Sequence, residues 1–285
     1  MVSYNPREWF ALIFKFNKAD TLRELLPLML TVSLYAGLVT FVMLDVWQVP
    51  ETSLIRKIIY VHQTIGFVFS LLLAFRINSA YDRWWEGRKL WGSLVNNSRN
   101  LAIKLKHLVD NQDASYFNHI IPLYARKLRD HLRDLYRDES TQTISLEPTK
   151  HVPNQVASAI IGRVYQLNKA GVINPEQLVS ITAEITSFTD ICGACERIKK
   201  TPIPYSYSVF IKKFIFIYIM TLPFTWCFDL KYFIMPVIAV ILYVFASIEL
   251  IAEEIEDPFG FDENDLPLDS ICEGIQKHVG ELLGA

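Results

Sequence analysis

Charge is scarce in this sequence. Only 20% of its 285 residues are Asp, Glu, Lys or Arg, against about a quarter in an ordinary soluble domain. Acids and bases nearly cancel, at a net charge of −2, so the electrostatic footprint of a nucleic-acid binder is missing. Cysteine is scarcer still. Cys192, Cys195, Cys227 and Cys272 are too few, in a chain of this length, for a disulfide framework. Cys192 and Cys195 form a lone CxxC, and a closed zinc site needs four ligands. No second CxxC and no His pair follows, so both read as structural thiols suited to a reducing compartment. The six histidines are scattered, with none paired at i,i+4, which excludes a zincin-type motif. There is no Walker A loop, no GxGxxG and no GxSxG; with no catalytic constellation, the chain reads as a non-enzyme that requires no cofactor. Strand-like alternation is nearly absent. The N-terminal WFALIFKF is short, is interrupted by Lys15 and lacks a small-residue cleavage site, so it does not read as a signal peptide.

Apolar residues are abundant, at 51%, with a mean hydropathy of +0.22, and they cluster. Pro27–Leu44 is an uncharged apolar run, and Ile58–Phe75 is a second, broken only by His62. A third, about Val209–Phe228, has Lys212 and Lys213 at its start and Pro223 within it; a fourth, Tyr232–Ile248, ends at Glu249. A spanning helix needs roughly 17–25 residues, so four transmembrane helices are expected. Between the second and third runs lie segments with apolar residues at helical spacing, such as WGSLVNNSRNLAIKLKHLV and IIPLYARKLRDHLRDLY. Breaks are expected at residues 110–113, across DESTQTISLEPTKHVP and at Asn174–Pro175. The fold class is therefore an all-α membrane protein with a large helical insert.

Residues 76–205 hold 18 of the 28 Lys and Arg, while the 45–57 loop holds two. The positive-inside rule then puts the insert and both termini in the cytoplasm and the spans in the inner membrane. Arg7, Lys15, Lys18 and Arg23 near the N-terminus agree. The expected order is an amphipathic segment over 1–25, two spans over 26–75, the cytosolic helical region over 76–205, two spans over 206–252 and an acidic tail over 253–285. Lys277 is the only Lys or Arg of that tail, which suits cation binding or docking on the basic insert.

Three stretches carry a family signature: LLLAFRINSAYDRWWEGRKLWGSL running out of the second apolar segment, TPIPYSYS opening the third, and EEIEDPFGFDENDLPLD after the fourth. In order and approximate spacing, Arg83–Trp85 (RWW), Ile203–Tyr207 (IPxxY) and Pro258–Gly260 (PFG) resemble the bestrophins, bacterial homologues in particular, over nearly the whole chain. The resemblance implies a homopentameric channel with one axial pore through the bilayer, passing small monovalent ions, chloride foremost, with Na⁺ or K⁺ as the alternative. It places a pore neck at Phe67, Leu71 and Phe75 and a cytosolic aperture at Ile185. It also implies a Ca²⁺ clasp using Asp262 and Asp265, although Phe261, Glu263 and Asn264 interrupt the acidic run found in animal relatives.

The residues themselves give a physical reading of these positions. Phe67, Leu71 and Phe75 are spaced i, i+4, i+8 and share one helix face. Repeated in five copies they make apolar rings that can gate by dewetting. Gly66, Ser70 and Ala74 beside them permit close helix approach. Arg76 and Asp82 mark an exit into a polar vestibule. Arg76 and Arg83 either set a field for anions or pair with Asp82 and Glu86. Ile181, Ile185 and Phe188 form an apolar stripe of the kind that faces a core, and Glu184 beside it biases the potential toward cations. Asp130 and Asp134, interleaved with Arg129 and Arg133, read as a salt-bridged helix face. Glu249, Glu253 and Glu254 either line a side path or pair with Arg76. The rival class is a membrane-anchored scaffold or sensor whose insert binds a partner.

Overall fold

A computed structural model of the chain describes residues 21–50, 52–135 and 144–284; most of the expected N-terminal segment over 1–25 lies outside them. The described residues are helical, with no β-strand among them. In chain order the helices are α1 (Thr21–Phe41), α2 (Leu54–Lys57), α3 (Ile59–Lys106), α4 (Asn111–Leu132), α5 (Val152–Lys169), α6 (Pro175–Lys200), α7 (Tyr205–Leu230), α8 (Ile234–Glu256) and α9 (Leu268–Leu283). A π-helical turn, Val42–Val46, extends α1, and Lys231–Phe233 forms a 3₁₀ turn between α7 and α8.

Each interior break has a chemical cause. Asp110 caps α4, its carboxylate accepting from Asp113 N. His151 caps α5, with Pro153 in the first turn. Asn174 and Gln177 form a reciprocal capping box at α6, with Pro175 at its first position. All three lie in the segments where the sequence predicted breaks. Lys231 takes a positive φ of 48° where α7 gives way to the turn before α8. The second apolar run ends at Phe75 but its helix continues into the insert, as the sequence expects: α3 is one 48-residue helix, about 72 Å long at 1.5 Å per residue. The expected division at 75/76 falls inside it.

The described residues divide into two compact units, one of residues 21–83 and 202–256, the other of 84–201 and 257–284. In the first, α1, α7, α8 and the start of α3 surround a core that includes Val32, Ala36, Phe69, Leu73, Ile215 and Ile238. Phe69 stacks on Phe214 at 4.3 Å and meets Phe245 edge-on at 5.4 Å. Several polar groups inside this unit are paired: Thr21 and Ser247 hydroxyls lie 2.8 Å apart, Tyr35 Oη donates to the Met220 carbonyl, and His62 Nε2 meets Thr221 Oγ1 at 2.9 Å. Such pairing is what backbone and side-chain polar groups require away from water. Gly66 is the close-packed position of α3, where a Cβ would collide with the Tyr218 hydroxyl.

Four stretches are long and apolar enough to cross a membrane: Thr21–Val46, Leu54–Lys106, Pro175–Lys200 and Tyr205–Glu256. The last is two helices, α7 and α8. The third, α6, qualifies by composition alone. Its buried residues, Ile181, Ile185, Phe188, Ile191, Cys192, Cys195 and Ile198, form the single stripe of a packed amphipathic helix, and its other faces carry Glu184, Asp190, Glu196 and Arg197. The chain is an integral membrane protein, and α1, the first part of α3, α7 and α8 are its candidate spans.

The second unit packs α4, α5, α6, α9 and the end of α3 around Trp91, Leu101, Phe117, Tyr124, Phe188 and Ile275, among others. Tyr124 stacks on Phe188 and donates to its carbonyl at 2.5 Å. Asp269 on α9 binds both Arg129 and Arg133. The hydrogen bond from Arg133 holds its carboxyl below the usual range. The charged face expected on α4 is therefore the docking face of the tail helix. Cys192, Cys195 and Cys272 are buried in this core as free thiols, and burial pushes Cys192 and Cys272 up to about 12.

Glu196 joins three helices. His131 and His151 both donate to its Oε1, at 2.5 and 2.6 Å. Burial alone would raise its carboxyl, but the two His hydrogen bonds outweigh burial and hold it down to about 2, from an ordinary 4.5. A depressed folded-state value stabilises the fold fully above pH 4.5, and that contribution is lost as pH falls toward 2. Melting temperature should therefore drop between these limits in the parent protein. In Glu196→Gln the slope over the same interval should be shallower; equal slopes would remove Glu196 from the linkage.

Candidate functional site: an apolar helix face above a buried charge network

Along α3 the side chains sort into two faces. His62, Gly66, Phe69, Leu73, Arg76 and Ala80 are buried, at helical spacing along one stripe. Phe67, Leu71 and Phe75 lie opposite, 67%, 48% and 63% exposed. Their face continues through Asn78 and Asp82, also exposed. Three large apolar side chains in register, uncovered by their own chain, followed directly by two polar ones, make an apolar track with a polar exit. An exposed apolar stripe of this kind marks a contact with lipid, a partner or a pore.

Arg76 does not belong to that exit, contrary to the sequence expectation. It points into the first unit, 1% exposed, with Nη2 2.8 Å from Glu256 Oε2 and Nε 3.4 Å from Glu249 Oε2. Glu256 also accepts from Ile203 N at 2.6 Å, and its carbonyl accepts from Arg83 Nε at 3.0 Å. Of the alternatives left open by the sequence, the structure takes the pairing with Glu249 and adds Glu256, a partner the sequence reading did not name. Glu253 pairs instead with Lys212 at 2.8 Å, and Glu86 with Arg197 at 2.6 Å.

Two positions expected to shape a lower opening are likewise occupied by packing. Ile185 is 5% exposed, in the core of the second unit; a side chain enclosed by its own unit does not line an opening. The large apolar side chain that α6 leaves uncovered is Val179, 74% exposed. Glu184 pairs with Lys104 at 2.7 Å, so its charge is neutralised locally and supplies little field for cations.

After Phe259, which packs on Gly87 so closely that a Cβ there would lie 3.1 Å from the ring, the chain makes a tight turn. Asp265 Oδ2 accepts from Asp262 N at 2.7 Å, and Asp265 N donates to the Asp262 carbonyl at 3.0 Å. Trp84 Nε1 donates to the Asn264 carbonyl, and Arg133 Nε to the carbonyls of Phe259 and Gly260. Calcium takes six to eight oxygens. Here Asp265 is 2% exposed and closes its own loop, while Asp262 is exposed. Neither joins a group of three acidic, His or Cys ligands among the described residues. Of the two carboxylates that the resemblance assigns to a calcium clasp, Asp265 therefore closes its own turn and Asp262 stands exposed beside it.

The sequence matches the Bacterial/Fungal Bestrophin protein family over residues 1–281. The chain belongs to the bestrophin family. Among this bestrophin's relatives, the voltage-dependent anion channel-forming protein of Nostoc sp. (strain PCC 7120) is 36% identical over 76% of this chain and 75% of its own length. The protein of that description from Escherichia coli (strain K12) is 31% identical over 74% of this chain and 72% of its own. A crystal structure of a variant bacterial bestrophin homologue from Klebsiella pneumoniae superposes with a TM-score of 0.83, at 23% identity, covering 92% of this chain and all of that one. The fold of this bestrophin is thus that of the solved homologue.

Proposed function

We propose that this bestrophin is a passive channel for small monovalent anions, chloride foremost, formed by five copies around one axial pore. The exposed face of Phe67, Leu71 and Phe75 carries the reading: in a fivefold arrangement it becomes a stack of apolar rings, which suits gating by dewetting. The Nostoc and Escherichia coli relatives, both described as voltage-dependent anion channel-forming proteins, support the anion preference. Val179 takes the place the resemblance had given to Ile185, as a second apolar ring. With Arg76 neutralised by Glu249 and Glu256, and Glu184 by Lys104, selectivity rests on the neck's dimensions and on Asn78 and Asp82 below it. The insert and termini face the cytoplasm, in accord with the Lys and Arg distribution.

The test is the reversal potential of purified protein in a planar bilayer under a tenfold KCl gradient. A chloride-selective pore reverses about 59 mV from zero on the chloride side. Reversal on the potassium side would replace the anion reading with a cation one, with Asp82 as its first determinant. A particle in detergent smaller than five 32.9 kDa chains would remove the axial pore.

A further inference from the structure

The cluster of His131, His151 and Glu196 lies outside the pore track and is not needed by the channel reading. Its members come from the end of α4, the N-cap of α5 and the last turns of α6. The two imidazole rings are 4.6 Å apart. Both Nε2 atoms aim at one carboxylate oxygen, and the three ligand atoms lie within 4.8 Å of one another. The side chains are 29%, 32% and 20% exposed, so a cation from solvent reaches them without unfolding.

We propose that His131, His151 and Glu196 form a binding site for a borderline divalent transition-metal cation, Zn²⁺ being the best fit. The donor set is two imidazole nitrogens and one carboxylate, the three-protein-ligand pattern that leaves a fourth position to water. Nitrogen donors select against Mg²⁺ and Ca²⁺, which take oxygen. At present two N–H protons converge on Glu196 Oε1; one divalent cation replaces both. Tetrahedral zinc at 2.0–2.1 Å separates its ligands by about 3.3 Å, so the carboxylate withdraws slightly from the hydrogen-bonded positions on binding.

The surrounding charges permit this exchange. Glu196, held down to about 2 by its His partners against burial, is ionised across the physiological range. Lys200 sits 3.4 Å from its second oxygen, but is 67% exposed and free to swing out. Lys199 is engaged with Asp134. Cys192, one turn earlier on α6, is buried, which pushes its thiol up to about 12 and keeps it protonated outside the ligand set. His151 Nδ1 accepts from Asn154 N at 3.2 Å, which places the ring proton on Nε2. Metal binding at Nε2 moves that proton to Nδ1 and releases this cap bond. A ligating imidazole must be neutral, so the cation competes with protons for the site. Occupancy ties α6, four residues before its end at Lys200, to α4 and α5.

The experiment uses the full-length protein in detergent, with any affinity tag removed, stripped by chelator and titrated with ZnCl₂ by calorimetry at pH 7.5. Bound metal is counted by elemental analysis. One zinc per 32.9 kDa chain is expected, with no comparable heat from CaCl₂ or MgCl₂ and a melting temperature raised by about 2–4 °C at saturation. His131→Asn and His151→Asn should each weaken binding by at least about 10–100-fold, with helix content and elution volume unchanged. Replacement of zinc by Co²⁺ should give visible absorption that both variants lose. Absence of stoichiometric zinc, or the same titration in the parent and both variants, would overturn the site. Binding that survives only at His62, His107, His119 or His278 would do so equally, and none of these outcomes bears on ion conduction.

Discussion

Replacing Phe67, Leu71 and Phe75 together by Ala should raise the single-channel current at fixed voltage by at least about tenfold. A barrier lowered by only about 1.4 kcal/mol is enough for that factor. Ala rings are both wider and less repellent to water, so the dewetted stretch fills at lower cost. The three side chains lie on the face of α3 that its own chain leaves open, so their truncation makes no cavity inside the protomer. Stability should change little, and a gain in current would be attributable to the pore. The control is Phe69→Ala on the opposite face. Phe69 is fully buried, stacked on Phe214, and its loss should cost about 3–5 kcal/mol of stability without opening the neck. If the triple variant conducts as the parent does, Phe67, Leu71 and Phe75 face lipid and the neck lies elsewhere.

The contrast between Phe67 and Phe69 shows what a sequence pattern conveys. Both lie in one apolar run, and hydropathy does not separate them. Periodicity groups Phe67 with Leu71 and Phe75, but which face of a uniformly apolar helix turns inward depends on what packs there. That is decided by Phe214 and Phe245, more than 140 residues later in the chain. Helix starts were far more legible, because Asp110, His151 and Asn174 are local chemistry: each side chain accepts from a backbone N–H three residues on. The apolar run stops at Phe75, but a change of polarity does not end a helix: α3 continues to Lys106. Backbone hydrogen bonding runs on through Arg76, whose charge is met inside the fold. At Ile185 the plain stripe of Ile181, Ile185 and Phe188 pointed to a core, whereas the resemblance pointed to an aperture, and packing agrees with the stripe. The His131, His151 and Glu196 cluster left no trace in spacing at all, since its ligands are brought together only when α4, α5 and α6 meet.

Arg76→Met should destabilise the membrane-spanning unit by about 3–5 kcal/mol. The guanidinium is the counter-charge for Glu249 and Glu256, whose side chains are 4% and 13% exposed. Removing it leaves carboxylates buried without a cation, which costs far more than the pair itself contributes. The measurement is chemical or thermal unfolding of the purified protein, with yield of the full assembly as a second readout. The decisive comparison is Arg76→Met combined with Glu249→Leu and Glu256→Gln. With both carboxylates gone the penalty disappears, and most of the lost stability should return, because replacing a whole buried ionic cluster by apolar groups is close to neutral. Gln at 256 keeps an oxygen for Ile203 N, whose bond to Glu256 is 2.6 Å. Parent-like unfolding of the single variant would mean that water already solvates this cluster. A single variant that is unstable, together with a triple variant that is not, would identify Arg76 as the group that fixes α3 against α8 and the start of α7. That contact also sets which way Phe75, the adjoining residue, faces.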